Sequence, residues 1–275
     1  MKLGLIAGGG SLPLEIAERR RAAGADVFVL RLKGMADPAL ARFAGADIGV
    51  AELGRAIAAL QEAGCDSVCL AGIVRRPDFA ALKPDLRGLA ALPGALAAAR
   101  QGDDALLRYL VGEFEREGFR VVGAHEAAAD LTLAEGPLGT VSAGAAHQAD
   151  MARALAVARA IGELDIGQAA VVCDGLVLAV EAQEGTDALL ARVAALPPEV
   201  RGSEDHRRGV LAKAPKPIQE QRVDLPTIGV ATVEAAARAG LAGVAGEAGK
   251  VLIVDRAGVV AAADRLGLFV YGAAR

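Results

Sequence analysis

The stretch LGLIAGGGSLPLEIAERRRAAGADVFVLRL, from Leu3 to Leu32, decides how the chain is read. Leu3–Ala7 is a short apolar strand, Gly8-Gly9-Gly10-Ser11 a turn, and Pro13 opens an amphipathic helix to about Ala23. Proline fits a first helical turn, where its missing N–H has no partner to lose. Ser11 or Leu12 sits at the cap, and Ser11 is the better capper. Leu14, Ile16 and Ala17 then point inward, Glu18, Arg19 and Arg20 outward, and Asp26–Leu32 is the next strand. Strand, glycine turn, helix, strand is the opening of a doubly wound α/β unit. Free N–H groups at such a helix start favour an anion, which makes Gly9, Gly10, Ser11 and Leu12 candidates for substrate contact. The same glycines also suit a plain tight turn that needs positive φ.

The alternation continues with a strand at Asp47–Val50, a helix at Leu53–Ala63 and a strand at Ser67–Ala71. The loop after it holds Arg75 and Arg76 at a strand's C-terminal end, where open α/β sheets bind ligands. Arg75 is a candidate phosphate contact, with a solvated charge pair as the alternative. Asp103–Glu117 is an amphipathic helix with Leu106, Leu107, Leu110 and Phe114 at helical spacing. Asp103 and Asp104 suit its first turn as caps. Phe119–Gly123 is the next strand. Two glycines and a proline between Leu131 and Thr140 break the pattern. The expected fold class is therefore α/β in two domains. Residues 1–133 form an N-terminal Rossmann-like doubly wound unit, 134–144 a linker, and 145–275 a C-terminal mixed α/β domain.

The second half opens with a long helix, Ala145–Leu164, for which Ser142 is a candidate cap. Ala169–Cys173 and Leu176–Ala182 flank Asp174-Gly175, a strong hairpin signal. Glu181 and Glu184-Gly185-Thr186-Asp187 follow at the sheet rim, with Thr186 or Asp187 expected to cap a helix at Ala188–Ala195. Capping alone accounts for Asp187 but not for Glu184 beside it. Two carboxylates at a turn suit Mg²⁺, which takes oxygen ligands and keeps several waters. Gly209–Lys213 is a strand with Lys213 at its end. Pro215 and Pro217 stiffen the backbone around Lys216, and Gln219, Arg222 and Asp224 follow before Pro226. Cations on a rigid loop with an aspartate after them suit phosphoryl chemistry; an exposed charged loop is the plainer reading. The tail alternates again, with helices at Val233–Ala239 and Val259–Leu266 and strands at Gly243–Gly246, Val251–Asp255 and Phe269–Tyr271.

Composition bounds the function. The 275 residues are 53% hydrophobic but only 3% aromatic, with no tryptophan, so the core is aliphatic. A net charge of −4 argues against a nucleic-acid partner. Three cysteines read as reduced thiols. No apolar run reaches the roughly 18 residues of a spanning helix, which leads to a cytoplasmic expectation that allows peripheral contact with a membrane.

Five segments carry a family resemblance: Ala7–Pro13, Gly72–Arg76, Gly167–Val172, EAQEGTDAL from Glu181 to Leu189, and KAPKPIQEQRVDLPTIG from Lys213 to Gly229. Together they resemble the UDP-2,3-diacylglucosamine pyrophosphatases of lipid A biosynthesis, of the type unrelated to calcineurin-like metallophosphoesterases. The resemblance implies a Mg²⁺-dependent hydrolase with its active site between two domains, yielding UMP and 2,3-diacylglucosamine 1-phosphate (lipid X). Carried over, it makes Asp224 the essential carboxylate and metal ligand. Glu184 and Asp187 become metal or substrate contacts, and Lys213, Lys216 and Arg222 pyrophosphate contacts. Thr186 and Gln219 join the substrate-binding set, with the glycine turn at Ser11 and Leu12. Two acyl chains require an aliphatic pocket, expected in the C-terminal domain. Peripheral contact with the inner membrane and a homodimer are further expectations.

Two other classes compete with this reading. A non-catalytic nucleotide-lipid carrier would need the lysines and the glycine turn but not Asp224. A nicotinamide-dependent oxidoreductase is weakened by Pro13 at the third glycine position. The second strand also runs into Arg31, Leu32 and Lys33 where an acidic ribose contact is expected.

Overall fold

The computed structural model describes residues 2–74, 82–217 and 220–274. The chain divides into two compact units, Met1–Ala129 with Glu220–Asp224, and Asp130–Gln219 with Leu225–Arg275.

In the first unit the order is β1 (Leu3–Ala7), α1 (Leu12–Ala22), β2 (Val27–Leu32), a 3₁₀ turn at Pro38–Arg42, β3 (Gly45–Ile48), α2 (Leu53–Glu62), β4 (Ser67–Ala71), α3 (Leu86–Ala99), α4 (Asp103–Arg116), β5 (Arg120–Val121) and a short α5 (Ala124–Ala127). The strands pair in the order β3-β2-β1-β4-β5, and every pair is parallel. Parallel neighbours require crossovers, and the helices supply them. β1 is central and buried throughout, as its unbroken LGLIA run requires. The chain leaves β1 towards β2 and β3, then returns to β4 on its other side. The switch point of the sheet therefore lies at the C-terminal ends of β1 and β4, where this topology places ligands. Leu30, Ile57, Leu60, Val68, Phe114 and Phe119 fill the core. α3 escapes the sequence reading because Gly88, Pro93 and Gly94 interrupt it. Asp85 caps it by accepting from the Gly88 N–H at 2.7 Å.

The second unit contains β6 (Gly136–Leu138), α6 (Ala145–Glu163), β7 (Ala169–Cys173), β8 (Leu176–Val180), α7 (Gly185–Ala194), α8 (Pro198–Arg201), β9 (Val210–Lys213), β10 (Thr227–Ile228), α9 (Val230–Arg238), β11 (Gly243–Glu247), β12 (Leu252–Ile253), α10 (Arg256–Leu266) and β13 (Phe269–Ala273). Its six-stranded sheet runs β6-β13-β11-β9-β7-β8, while β10 and β12 form a parallel pair. β13, β11 and β9 are mutually parallel, and β6, β7 and β8 are antiparallel to their neighbours. Strand alternation separates two aliphatic layers. Leu211 joins Leu189, Val233 and Val259 on the face of α7, α9 and α10. Val210 and Ala212 join Met151, Leu155 and Ala158 of α6 on the other.

Local differences from the sequence reading have simple causes. The stretch 134–144, read as a linker, supplies the edge strand β6, paired with β13 through Leu138 and Val270. An edge strand tolerates its Pro137. α6 begins at Ala145 as expected, but Gly144 rather than Ser142 takes its N-cap position. α7 starts at Gly185 with Glu184 at its N-cap, so Thr186 and Asp187 lie inside the first turn and do not cap it. The β7–β8 hairpin is as expected: Asp174 and Gly175 have φ of 49° and 77°, the two positive values that a tight hairpin turn of this hand needs. Asp150 of α6 accepts from both turn amides, at 2.9 Å and 2.7 Å.

Candidate active site

In the first unit, the loops that follow β1 and β4 are stitched together. The Gly9 N–H donates to the Ile73 carbonyl at 2.9 Å, and the Ile73 N–H to the Gly9 carbonyl at 2.8 Å. A Cβ on Gly8 would stand 2.8 Å from the Ile73 carbonyl oxygen, and Gly10 has φ of +83°. Glycine is thus required here for close approach at one position and for a left-handed turn at the other. Ser11 takes the N-cap position of α1, yet its side chain makes no capping bond. Its exposed hydroxyl, Gly9, Gly10 and Leu12 meet at the switch point, in the place expected of an anion-binding helix start. Arg75 lies outside the described residues.

Residues 220–224 are also held by this unit. Glu220 takes the Arg222 guanidinium in a two-point grip, with Nε and Nη2 both at 2.8 Å. Glu115 of α4 takes Nη1 at 2.6 Å. The Glu220 N–H donates to Asp104 at 2.7 Å, and Val223 packs against the unit's core. The carboxylates of Glu220 and then Glu115 raise the Arg222 pKa further. Arg222 in return holds the Glu220 carboxyl below the usual range. Asp104 therefore does more than suit the first turn of α4; it anchors this segment. Asp224 ends the segment half-buried, with its N–H on the Glu220 carbonyl at 3.1 Å. Arg222, expected at the pyrophosphate, is held in this structure by two carboxylates. Gln219 is outside the described residues.

In the second unit, the chemistry gathers at one end of the sheet. Lys213 ends β9 opposite Ala169 of β7, and the Glu181 N–H reaches the Ala169 carbonyl from the far side at 2.9 Å. Glu181 and Lys213 thus flank one strand, two strand spacings or roughly 10 Å apart. Both are buried, at 4% and 5% exposure. Buried charges need polar partners. The Lys213 ammonium donates to the Thr227 carbonyl at 3.0 Å. Glu181 accepts from the Thr186 hydroxyl at 2.8 Å and the Gln168 N–H at 3.1 Å. Glu181 is a site candidate absent from the sequence-derived set, although the EAQEGTD spacing contained it.

The remaining predicted residues are more exposed. Glu184 pairs with Arg192 at 2.5 Å; its own backbone N–H and then Arg192 hold its carboxyl below the usual range. Asp187 is exposed on the first turn of α7. Lys216 pairs with Asp165 at 2.7 Å, on a loop that approaches α6 closely over Gly162.

Among the described residues, no three or more His, Cys, Asp or Glu side chains gather closely enough to cage a metal ion. Mg²⁺ commonly uses one or two carboxylates with waters and substrate phosphate oxygens. The described residues suit that mode rather than an all-protein cage. No helix among the described residues is long and apolar enough to cross a membrane.

Comparison with known proteins agrees with the two-unit organisation. The family model of the LpxI N-terminal domain matches residues 2–131, and that of the LpxI C-terminal domain matches residues 134–271. The UDP-2,3-diacylglucosamine pyrophosphatase LpxI of Caulobacter vibrioides is 64% identical over 271 residues, covering 98% of this chain and 97% of that protein. The chain belongs to the LpxI family.

Proposed function

We propose that this protein hydrolyses the pyrophosphate of UDP-2,3-diacylglucosamine, releasing UMP and 2,3-diacylglucosamine 1-phosphate, in the cytoplasm at the inner membrane. The observation that carries the reading is near full-length similarity to a relative named for that substrate. Water adds to one phosphorus, one P–O–P bond breaks, and both products leave as phosphate monoesters. Asp224 supplies the essential carboxylate and would, with substrate oxygens and water, hold the Mg²⁺. Bound Mg²⁺ would offset charge on the phosphate oxygens. Lys213 and Lys216 favour the same anionic groups. Glu184 at the N-cap and Asp187 in the first turn of α7 serve as secondary carboxylates. Thr186 fixes Glu181, and the glycine turn with Ser11 and Leu12 takes a further part of the nucleotide-sugar.

The test is hydrolysis of UDP-2,3-diacylglucosamine by the wild type and by Asp224→Ala, with Mg²⁺ and after chelation. UMP release should require metal, and the variant should be at least ~10²-fold slower, a barrier increase of about 2.7 kcal/mol. A fully active variant would remove Asp224 from the reaction. A wild type that binds the nucleotide-lipid without hydrolysing it would make the protein a carrier.

A further inference from the structure

α3 turns an apolar side to solvent. Leu86, Leu89, Ala90, Pro93 and Ala97 are exposed, Leu86 at 90% and Leu89 at 57%. At about 100° per residue these five fall within one arc roughly 100° wide. Only Gly88 and Ala99 of the helix are buried. Arg87, its one charged residue, lies off the arc and pairs with Glu117 at 2.5 Å. α4, the next helix, has the ordinary polarity, with Val111 and Phe114 buried and Arg108 and Arg116 outward. Exposed lysine and arginine bracket the apolar arc: Lys83 precedes α3 and Arg100 follows it, neither with a side-chain partner among the described residues.

We propose that α3 is a lipid-docking element, which lies in the surface of an anionic bilayer with its leucines at the headgroup–acyl boundary and Lys83 and Arg100 on lipid phosphates. The charge pattern selects this occupant. An apolar stripe ended by cations matches the cross-section of an anionic leaflet. A second copy seated arc to arc in antiparallel fashion would bring Lys83 of one α3 towards Arg100 of the other, a like-charge contact. Pro93 removes the helical bond to the Leu89 carbonyl, which headgroup water can replace but hydrocarbon cannot. The helix is therefore suited to lying in the interface, over about 20 Å of its length. The proposal deepens the function above, since a diacylated substrate resides in such a leaflet, and it rests on that reading for its biological purpose only.

The absence of tryptophan gives a direct assay. In full-length protein, Leu86→Trp places a single reporter on the arc. With vesicles of phosphatidylcholine containing one quarter phosphatidylglycerol, its emission should shift to the blue and be quenched by brominated acyl chains. In sedimentation with the same vesicles, Leu86→Ser/Leu89→Ser should lower partitioning at least ~10-fold. Lys83→Gln/Arg100→Gln should abolish the preference over pure phosphatidylcholine. Unchanged partitioning of the serine variant, or a tryptophan that acyl quenchers do not reach, overturns the proposal. So does self-association by sedimentation velocity that the serine variant abolishes, which would make the arc an interface between copies. Hydrolysis of detergent-dispersed substrate is measured separately. Vesicle binding without hydrolysis refutes the pyrophosphatase reading alone, whereas hydrolysis without α3-dependent binding refutes the docking alone.

Discussion

Replacing Arg222 with alanine strips three hydrogen bonds from the segment that presents Asp224. The two bonds to Glu220 form a planar fork at 2.8 Å each, and the third reaches Glu115 at 2.6 Å. A hydrogen bond to a charged group is worth about 1.5–3 kcal/mol, but the Arg222 side chain is 34% and that of Glu115 46% exposed. Solvent screening removes most of the outer pair's contribution. The fork to Glu220, 17% exposed, then dominates, and the loss is about 2 kcal/mol, or roughly 30-fold in local opening. Amide exchange at Asp224, whose N–H donates to the Glu220 carbonyl, should speed up by that factor. Arg222→Lys keeps the charge but cannot fork, and should lose about 1 kcal/mol, or roughly 5-fold. Hydrolysis should fall in kcat more than it rises in KM, because the segment is displaced rather than a substrate contact removed. Protection unchanged within about 2-fold in Arg222→Ala, with a raised KM, would refute the structural clamp and return Arg222 to the pyrophosphate.

Asp150→Ala should destabilise the second unit by about 2–3 kcal/mol, read from urea unfolding, because a buried carboxylate holding two hairpin amides is lost. Burial pushes Glu113 up, but hydrogen bonds from Arg116 and Tyr109 outweigh it and hold the carboxyl below its usual range. Stability from Glu113 is therefore present above the unfolded glutamate value of about 4.3 and is lost as pH falls through the lower folded value; Glu113→Gln should flatten that acid limb of the unfolding midpoint. All three cysteines are buried, burial raising each thiol and Cys69 to about 12, so a thiol reagent at pH 8 should label native protein at least ~10²-fold more slowly than urea-unfolded protein.

Much of the architecture was legible because its signals are local. The glycine turn after Leu3–Ala7, the Asp174-Gly175 hairpin and the spacing of Phe114 with Leu110 and Leu107 each act within a few residues. What was not legible depends on distant partners. α3 carries glycines and a proline that weaken any local helix signal, and its helix is fixed by the Asp85 cap and by packing against α4. There the Tyr109 ring would crowd any side chain at Gly94. The stretch around Gly136 and Pro137 has linker composition, yet an open edge beside β13 takes it as a strand. The return of residues 220–224 to the first unit rests on Glu115 and Asp104, over a hundred positions away. Spacing along the chain does not encode that pairing.

The same contrast separates the two lysines that the sequence treated as equals. Lys216 forms a partly exposed pair with Asp165, an interaction generally worth at most about 1 kcal/mol. It can be exchanged for another anion at little cost. Lys213 is buried where Leu211, two residues earlier on the same strand face, meets the aliphatic layer. An apolar residue could continue that layer, and a desolvated ammonium is a poor substitute for it on stability grounds. The same applies to Glu181 across Ala169, whose carboxylate requires the Thr186 hydroxyl and the Gln168 amide to be tolerable. Lys213 and Glu181, with Glu247 buried at the end of β11, set charges into the rim of a largely aliphatic sheet, where solvent screening is weak and the local field strong. Packing alone does not call for such a field, but stabilising developing charge on a pyrophosphate does. Lys213 therefore carries more weight than Lys216 in the proposed chemistry, and Glu181 with Thr186 belongs beside it.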